Sequence, residues 1–212
     1  MRNISLVKRP FPYRFHNVTL ILIVINVAFY LVNILFPRTF VYLALTPILV
    51  FRAHAYWQVF TYMFIHGGMT HILFNMLALF LFGSQLERRL GSYEFLAYYL
   101  VSGLGAGLFT LVFNWYTGMA GIPVVGASGA IYGLLLAYAT LFPDSVIFIF
   151  GIFPLKSPVA VLLFAAIAIF SQFSNTSVGV AHLTHLAGII FGYLYFRIRL
   201  GEDPLRIFFR RR

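Results

Sequence analysis

The sequence predicts an all-α membrane protein, a bundle of six transmembrane helices with both termini on the cytoplasmic side. Three observations carry this reading: an apolar composition, long stretches without charge, and a one-sided distribution of basic residues. Of the 212 residues, 61% are hydrophobic and 19% aromatic, and only 9% are charged. A water-soluble domain carries roughly 25% charged residues because water must solvate its surface. A chain this oily would expose more apolar surface than a soluble monomer tolerates.

The charges fall in clusters. No Asp, Glu, Lys or Arg lies between Arg14 and Arg38, Arg52 and Glu87, Glu94 and Asp144, or Lys156 and Arg197. A transmembrane helix needs about 20 apolar residues to cross roughly 30 Å of hydrocarbon. The first two gaps therefore hold one helix each, and the last two hold a pair each. Spans are predicted near 18–36, 60–82, 94–114, 125–142, 158–173 and 179–197. The turns within the long gaps are Asn114-Trp115-Tyr116-Thr117-Gly118 and Ser174-Asn175-Thr176-Ser177. The segment Ile147 to Phe153, interrupted by Gly151 and followed by Pro154, is predicted to lie at the interface. Residues 1–212 form one membrane domain, with basic tails at 1–17 and 198–212 and no internal repeat.

Six spans put both ends on one side, and the positive-inside rule identifies that side. Thirteen of the fifteen Lys and Arg residues fall in the two tails or in the loops holding Arg88, Arg89 and Lys156. Only Arg38 and Arg52 fall opposite. Both termini are expected in the cytoplasm of a multi-pass cell-membrane protein, and the compact form suggests a prokaryotic plasma membrane. The net charge of +10 follows from this topology and from contact with the anionic lipid bilayer. A nucleic-acid partner is not expected, since basic and aromatic side chains are not interleaved on one exposed surface. The absence of cysteine excludes disulfides and a thiol nucleophile. The first apolar run is long and no small-residue cleavage site follows it, so a cleavable signal peptide is not expected.

Polar side chains at membrane depth are costly and mark functional sites. Those predicted within the spans are His66, His71 and Asn75, then Ser128, Tyr132 and Tyr138, then His182, Thr184 and His185. The fourth span opens Gly126-Ala127-Ser128-Gly129-Ala130-Ile131-Tyr132-Gly133, where glycines leave a serine hydroxyl unscreened. Alone, small residues in a membrane helix signify close packing. Alone, too, a membrane histidine such as His185 is a structural hydrogen-bonder, and His71 with Asn75 one turn on could be interhelical glue. Their depths argue for more. The three spans run the same way, and Ser128, His185 and His71 lie about 5, 9 and 16 Å below the outer surface at 1.5 Å per residue. Gly129, Gly133 and Ala137 make a flat stripe on the fourth span; Gly188 and Gly192 make a matching one on the sixth. Such stripes permit the approach that a Ser–His hydrogen bond requires. Tyr132, one turn below Ser128, is expected to pack against the His185 imidazole.

These residues resemble the rhomboid family of intramembrane serine proteases, over about Trp57 to Gly192. Gly126-Ala127-Ser128-Gly129 resembles the family's nucleophile motif. His185-Leu186-Ala187-Gly188, with Gly192 beyond it, resembles the base motif. His66-Gly67-Gly68-Met69-Thr70-His71-Ile72-Leu73-Phe74-Asn75 resembles the second-helix signature, and Glu87-Arg88-Arg89-Leu90-Gly91 the Glu-x-x-x-Gly after it. The chain departs from the family at Trp57-Gln58, where a Trp-Arg pair is common, so an arginine role there does not transfer. His182 matches no catalytic position and is read as a rim or structural residue.

The resemblance implies a six-helix rhomboid-like bundle and a serine endopeptidase cutting transmembrane substrates near the outer leaflet, with Ser128 as nucleophile and His185 as base. All five carboxylates are expected on the cytoplasmic side, so the site is a dyad without an Asp. The oxyanion donors would be the Ser128 backbone N–H, His71 and Asn75. No metal and no cofactor is called for. The alternative is an inactive rhomboid-like protein that binds membrane clients, but such relatives typically lack the serine or histidine and this chain keeps both. A transporter or metal carrier using His66, His71, His182 and His185 is disfavoured, because no carboxylate lies at membrane depth to support the ligands.

Overall fold

A computed structural model describes residues 11–149, 151–173 and 179–206. Helix α1 (Val18–Leu35) leads through three short helices, α2 (Arg38–Leu43), α3 (Pro47–Arg52) and α4 (Gln58–Thr61). Helix α5 (Met69–Ala78) then runs through a π turn (Leu79–Gly83) into α6 (Ser84–Leu90), giving one continuous helix over Met69–Leu90. Helices α7 (Ser92–Tyr116) and α8 (Ser128–Leu141) follow. Strands β1 (Val146–Ile149) and β2 (Phe153–Lys156) pair antiparallel, and α9 (Ser157–Phe173) and α10 (Gly179–Tyr195) complete the bundle.

Three of the described helices, Val18–Leu35, Met69–Leu90 and Ser92–Tyr116, are long and apolar enough to cross a membrane. The exterior of the bundle is apolar, unlike that of a soluble protein, and polar side chains lie within. Val24, Leu73, Phe74 and Leu162 are exposed, while Asn26, Ser102, Thr110 and Asn114 are fully buried. Lipid, which solvates apolar side chains and cannot satisfy polar ones, accounts for this arrangement.

The second predicted span requires correction. The apolar run from Phe60 does not continue as one helix into His71. It forms α4 and a 3-10 turn (Tyr62–Phe64), and a new helix starts at Met69. Gly68, the residue preceding that helix, has an extended backbone, so the chain turns there instead of continuing helically. His66 therefore lies before the helix, buried against His71. At the other end the helix runs past 82 to Leu90 despite Glu87, Arg88 and Arg89. The Glu87 carboxylate is buried there because donors surround it: the Val18 and Thr19 N–H groups at 2.7 and 2.9 Å, and the Thr19 and Ser92 hydroxyls. Charge alone marks a helix end only if nothing satisfies it.

Other boundaries shift less. The fourth helix starts at Ser128, not 125, because Gly126 has φ +112° and cannot lie in a right-handed helix. The segment expected at the interface is a two-stranded hairpin, with Ile149 opposite Phe153. The predicted turn Ser174-Asn175-Thr176-Ser177 lies outside the described residues.

Helix α10 packs chiefly on α7 and α8. Tyr62, Tyr98, Tyr99 and Phe95 fill the centre with almost no exposure. Two of these hydroxyls bond across the interior: Tyr62 donates to the Gly103 carbonyl at 2.6 Å and Tyr98 to the Gly133 carbonyl at 2.7 Å. At the end of the bundle away from Ser128, Glu94 of α7 accepts from Arg199 Nε at 2.9 Å, from the Tyr195 hydroxyl, and from the Phe11 N–H at 3.0 Å. This ties α7, the end of α10 and the N-terminal segment together. Arg199→Ala leaves the Glu94 carboxylate buried without its cation, which costs about 3 kcal/mol. Reversible unfolding in mixed detergent–SDS micelles should register that loss.

Candidate active site

Ser128 is the first residue of α8, and its position follows from what precedes it. Gly126, in the left-handed region, turns the chain into the helix, and its N–H donates to the Tyr62 carbonyl at 2.9 Å. A Cβ at Gly126 would sit 2.8 Å from both Cε1 and Nε2 of His71, so only glycine lets that imidazole reach the Ser128 turn. The helix cap is Ala127, which has no side chain to bond the first turn. The first intrahelical bond from beyond the cap is Ile131 N–H to the Ala127 carbonyl at 3.0 Å. The Ser128 N–H thus belongs to an uncapped helix N-terminus, where backbone donors and the helix dipole favour negative charge.

His185 comes from the first half of α10. Its Nε2 is 2.8 Å from Ser128 Oγ, and its ring lies flat on Tyr132 with centroids 4.2 Å apart and planes 6° apart. The expected packing of Tyr132 is thus observed, and it fixes the imidazole plane. The backbone approach that allows this is tight. A Cβ at Gly188 would overlap the Gly129 carbonyl oxygen, and one at Gly192 would overlap the Tyr98 hydroxyl. Gly129 and Gly133 face two helices, not one: their Cβ positions lie 2.8 Å from the Ala106 Cβ and 2.6 Å from the Ser102 hydroxyl of α7. The stripe on α8 accordingly serves α7 as well as α10.

His71 sits in the first turn of α5 and borders the space beside Ser128. The Gly67 N–H approaches its Nδ1 at 3.4 Å, and in the tautomer where Nδ1 accepts that hydrogen, Nε2 is the donor. The helix starts at Met69, so His71 is its third residue and its ring reaches the turn at Gly126 and Ser128; the 16 Å depth, which assumed a helix from 60, does not hold. Asn75 is buried one turn deeper and donates to the His71 carbonyl at 2.8 Å, which commits one of its two amide hydrogens. The His182 side chain lies outside the described residues.

Two contributions could not be read from the sequence: the partner of Thr184, a residue already marked by its depth, and the support of the loop before α8. Thr184, next to His185, shares a 2.8 Å hydrogen bond with Thr110 of α7, which locks the rotation of α10. The loop before α8 is held by α2–α4: Leu45 and Val124 form a β-bridge, and the Ile48 N–H donates to the Ala120 carbonyl at 2.9 Å. Among the carboxylates, Glu87 and Glu94 are occupied as described, while Asp144 pairs with Lys156 and Asp203 with Arg197. Asp144 follows the far end of α8, about 20 Å from Ser128 for a helix of 14 residues.

A helical bundle with an oily exterior, an apolar core and several polar side chains buried inside it defines a multi-pass membrane protein. The rhomboid domain family model matches residues 53–202, and the chain belongs to the rhomboid family. It is 34% identical over 155 residues to RHOMBOID-like protein 1 of Arabidopsis thaliana, covering 71% of this chain and 36% of that one. It is 34% identical over 137 residues to rhomboid protease AarA of Providencia stuartii, covering 56% and 48%. It is also 34% identical over 137 residues to the mitochondrial rhomboid protein 1 of Saccharomyces cerevisiae, covering 62% and 38%. The aligned regions thus span about a third to a half of the length of these relatives.

Proposed function

We propose that this protein is an intramembrane serine endopeptidase in which Ser128 is the nucleophile and His185 its general base. The observation that carries the reading is the 2.8 Å Nε2···Oγ contact, within the roughly 2.6–3.2 Å expected of a nucleophile and its base. His185 takes the Ser128 proton, and Oγ attacks the scissile carbonyl. The base then protonates the leaving amine, and water hydrolyses the acyl-enzyme. Family membership supports protease chemistry, since the relatives include a named rhomboid protease. Labelling by a serine-directed fluorophosphonate in detergent tests the assignment: wild type should label, and Ser128→Ala should not.

The bundle is proposed as one membrane domain of six spans with both termini cytoplasmic, α8, α9 and α10 supplying the last three. Substrates would be transmembrane helices that unwind near the outer leaflet, delivered through lipid. The basic tails support cytoplasmic termini, and the compact form supports a plasma membrane of prokaryotic type. The relatives come from a bacterium, a plant and a mitochondrion, so likeness alone assigns no compartment.

The oxyanion of the tetrahedral intermediate would be met by the Ser128 N–H and by His71 Nε2, with Asn75 offering its second amide hydrogen. His71→Ala and Asn75→Ala should lower turnover roughly 10- to 1,000-fold with little change in substrate affinity, because the charge exists only in the transition state. The bond from Asn75 to the His71 carbonyl makes His71→Ala the larger effect. Turnover and binding measured separately in reconstituted membranes decide this. An Asn75→Ala protein with full turnover would leave Asn75 as helix glue.

A further inference from the structure

The connection between the first two long helices is not a polar loop. It folds into α2, α3 and α4, and its outer surface is oily: Phe36, Val41, Tyr42, Tyr56 and Trp57 are all exposed. Such a patch fits lipid, and tyrosine and tryptophan there match the aromatic belt at a membrane interface. Within this surface opens a cleft of about 760 Å³ walled by Val41, Tyr42, Leu49 and Trp57, with Arg38 and Gln58 also lining it.

The Gln58 amide and the Trp57 indole N–H are already matched. Gln58 Oε1 accepts the Thr46 N–H at 3.0 Å, and its Nε2 donates to the Val41 and Tyr42 carbonyls at 3.1 and 3.2 Å. Trp57 Nε1 donates to the Tyr42 carbonyl at 2.8 Å, and the two rings pack 4.9 Å apart. Arg38 differs. It is exposed, and no hydrogen bond or ion pair joins its guanidinium to any described residue. The other cation of this connection, Arg52, lies over the Trp115 ring at 5.9 Å.

We propose that the cleft is a binding site for an anionic phospholipid, one acyl chain lying along the apolar walls and the headgroup meeting Arg38. The cleft is of the size, roughly 300–1,000 Å³, that holds a small molecule. Its walls are mainly apolar, and its cation makes no ion pair with any described residue. The bound lipid braces the block that pairs with the loop before Ser128, through Leu45–Val124 and Ile48–Ala120. The proposal rests on the chain lying in a bilayer and not on its proteolytic activity.

The chain has two tryptophans, so Trp115→Phe leaves Trp57 as the sole emitter, inside the cleft. The full-length Trp115→Phe protein is reconstituted in phosphatidylcholine vesicles holding a small fixed fraction of a lipid brominated on its acyl chain. Brominated phosphatidylglycerol should quench Trp57 more than brominated phosphatidylcholine, as for a local enrichment of about five-fold from a single cation. Arg38→Lys should keep that order, Arg38→Gln should level the two lipids, and Arg52→Gln should change nothing. Unbrominated phosphatidylglycerol should relieve the quenching. Equal quenching by both lipids in the parent protein, or a preference that survives Arg38→Gln, overturns the proposal. Relief by a single-span helical peptide without any lipid preference also overturns it and assigns the cleft to a substrate helix.

Discussion

Ser128→Ala and His185→Ala should each reduce cleavage of a transmembrane substrate by at least about 10⁴-fold, because removing either half of a nucleophile–base pair removes the function of both. The two variants differ in what else they disturb. Ser128→Ala deletes one oxygen at the start of α8 and leaves the packing intact. His185→Ala also deletes the ring stacked on Tyr132, a contact worth about 0.5–1.5 kcal/mol for an aromatic pair. His185→Phe is the sharper variant, since it retains a ring on Tyr132 and removes only the base. It should fold, extract and resist unfolding like the parent, yet fail to cleave and fail to label with fluorophosphonate even though Ser128 is present. The predicted loss of labelling follows from chemistry: a serine hydroxyl with no base to take its proton is a poor nucleophile near neutral pH. Substantial residual turnover in Ser128→Ala or His185→Phe would refute the dyad.

The candidate site was largely legible in the sequence because the two residues proposed to react are each embedded in a local pattern. Ser128 stands between glycines, and His185 precedes glycines at spacings of three and seven. Spacing on a helix fixes a face, and matching stripes of small residues indicated that two such faces could meet. The boundaries of the second helix were not legible. The residues from Phe60 to Ile65 are as apolar as a membrane helix, and nothing local distinguishes them from the α4 and 3-10 turns they form. Nor could the sequence show that Glu87 is buried, because its donors Val18 and Thr19 lie 69 and 68 residues away. The Glu94–Arg199 and Thr110–Thr184 pairs are separated by 105 and 74 residues, and neither leaves a periodic trace. The hairpin escaped for another reason: its strands have four residues each, too short for alternation to stand out in an apolar chain.

Gly188→Leu should lower turnover about 100-fold, the penalty for displacing a reacting group by roughly an ångström, although position 188 touches no reacting atom. A side chain there meets the backbone of α8 at the Gly129 carbonyl, immediately after Ser128. Backbone cannot swing aside as the end of a flexible side chain can, so α10 must retreat or rotate. His185 lies one turn earlier on the same helix and moves with it, stretching the 2.8 Å contact to Ser128. Gly188→Ala should show the same loss in smaller measure, because even its Cβ overlaps that oxygen. The strain also destabilises the fold, by about 1–3 kcal/mol for overpacking a closely fitted interior. A control separates strain from general sensitivity: Gly121 has nothing within 4 Å of its Cβ position and an unremarkable φ, so Gly121→Ala should leave activity and stability unchanged. Turnover and unfolding are to be measured on the same preparations, because the mechanism requires both to fall together. A fully active Gly188→Leu protein would mean that the approach of α10 to α8 is not what aligns His185 with Ser128.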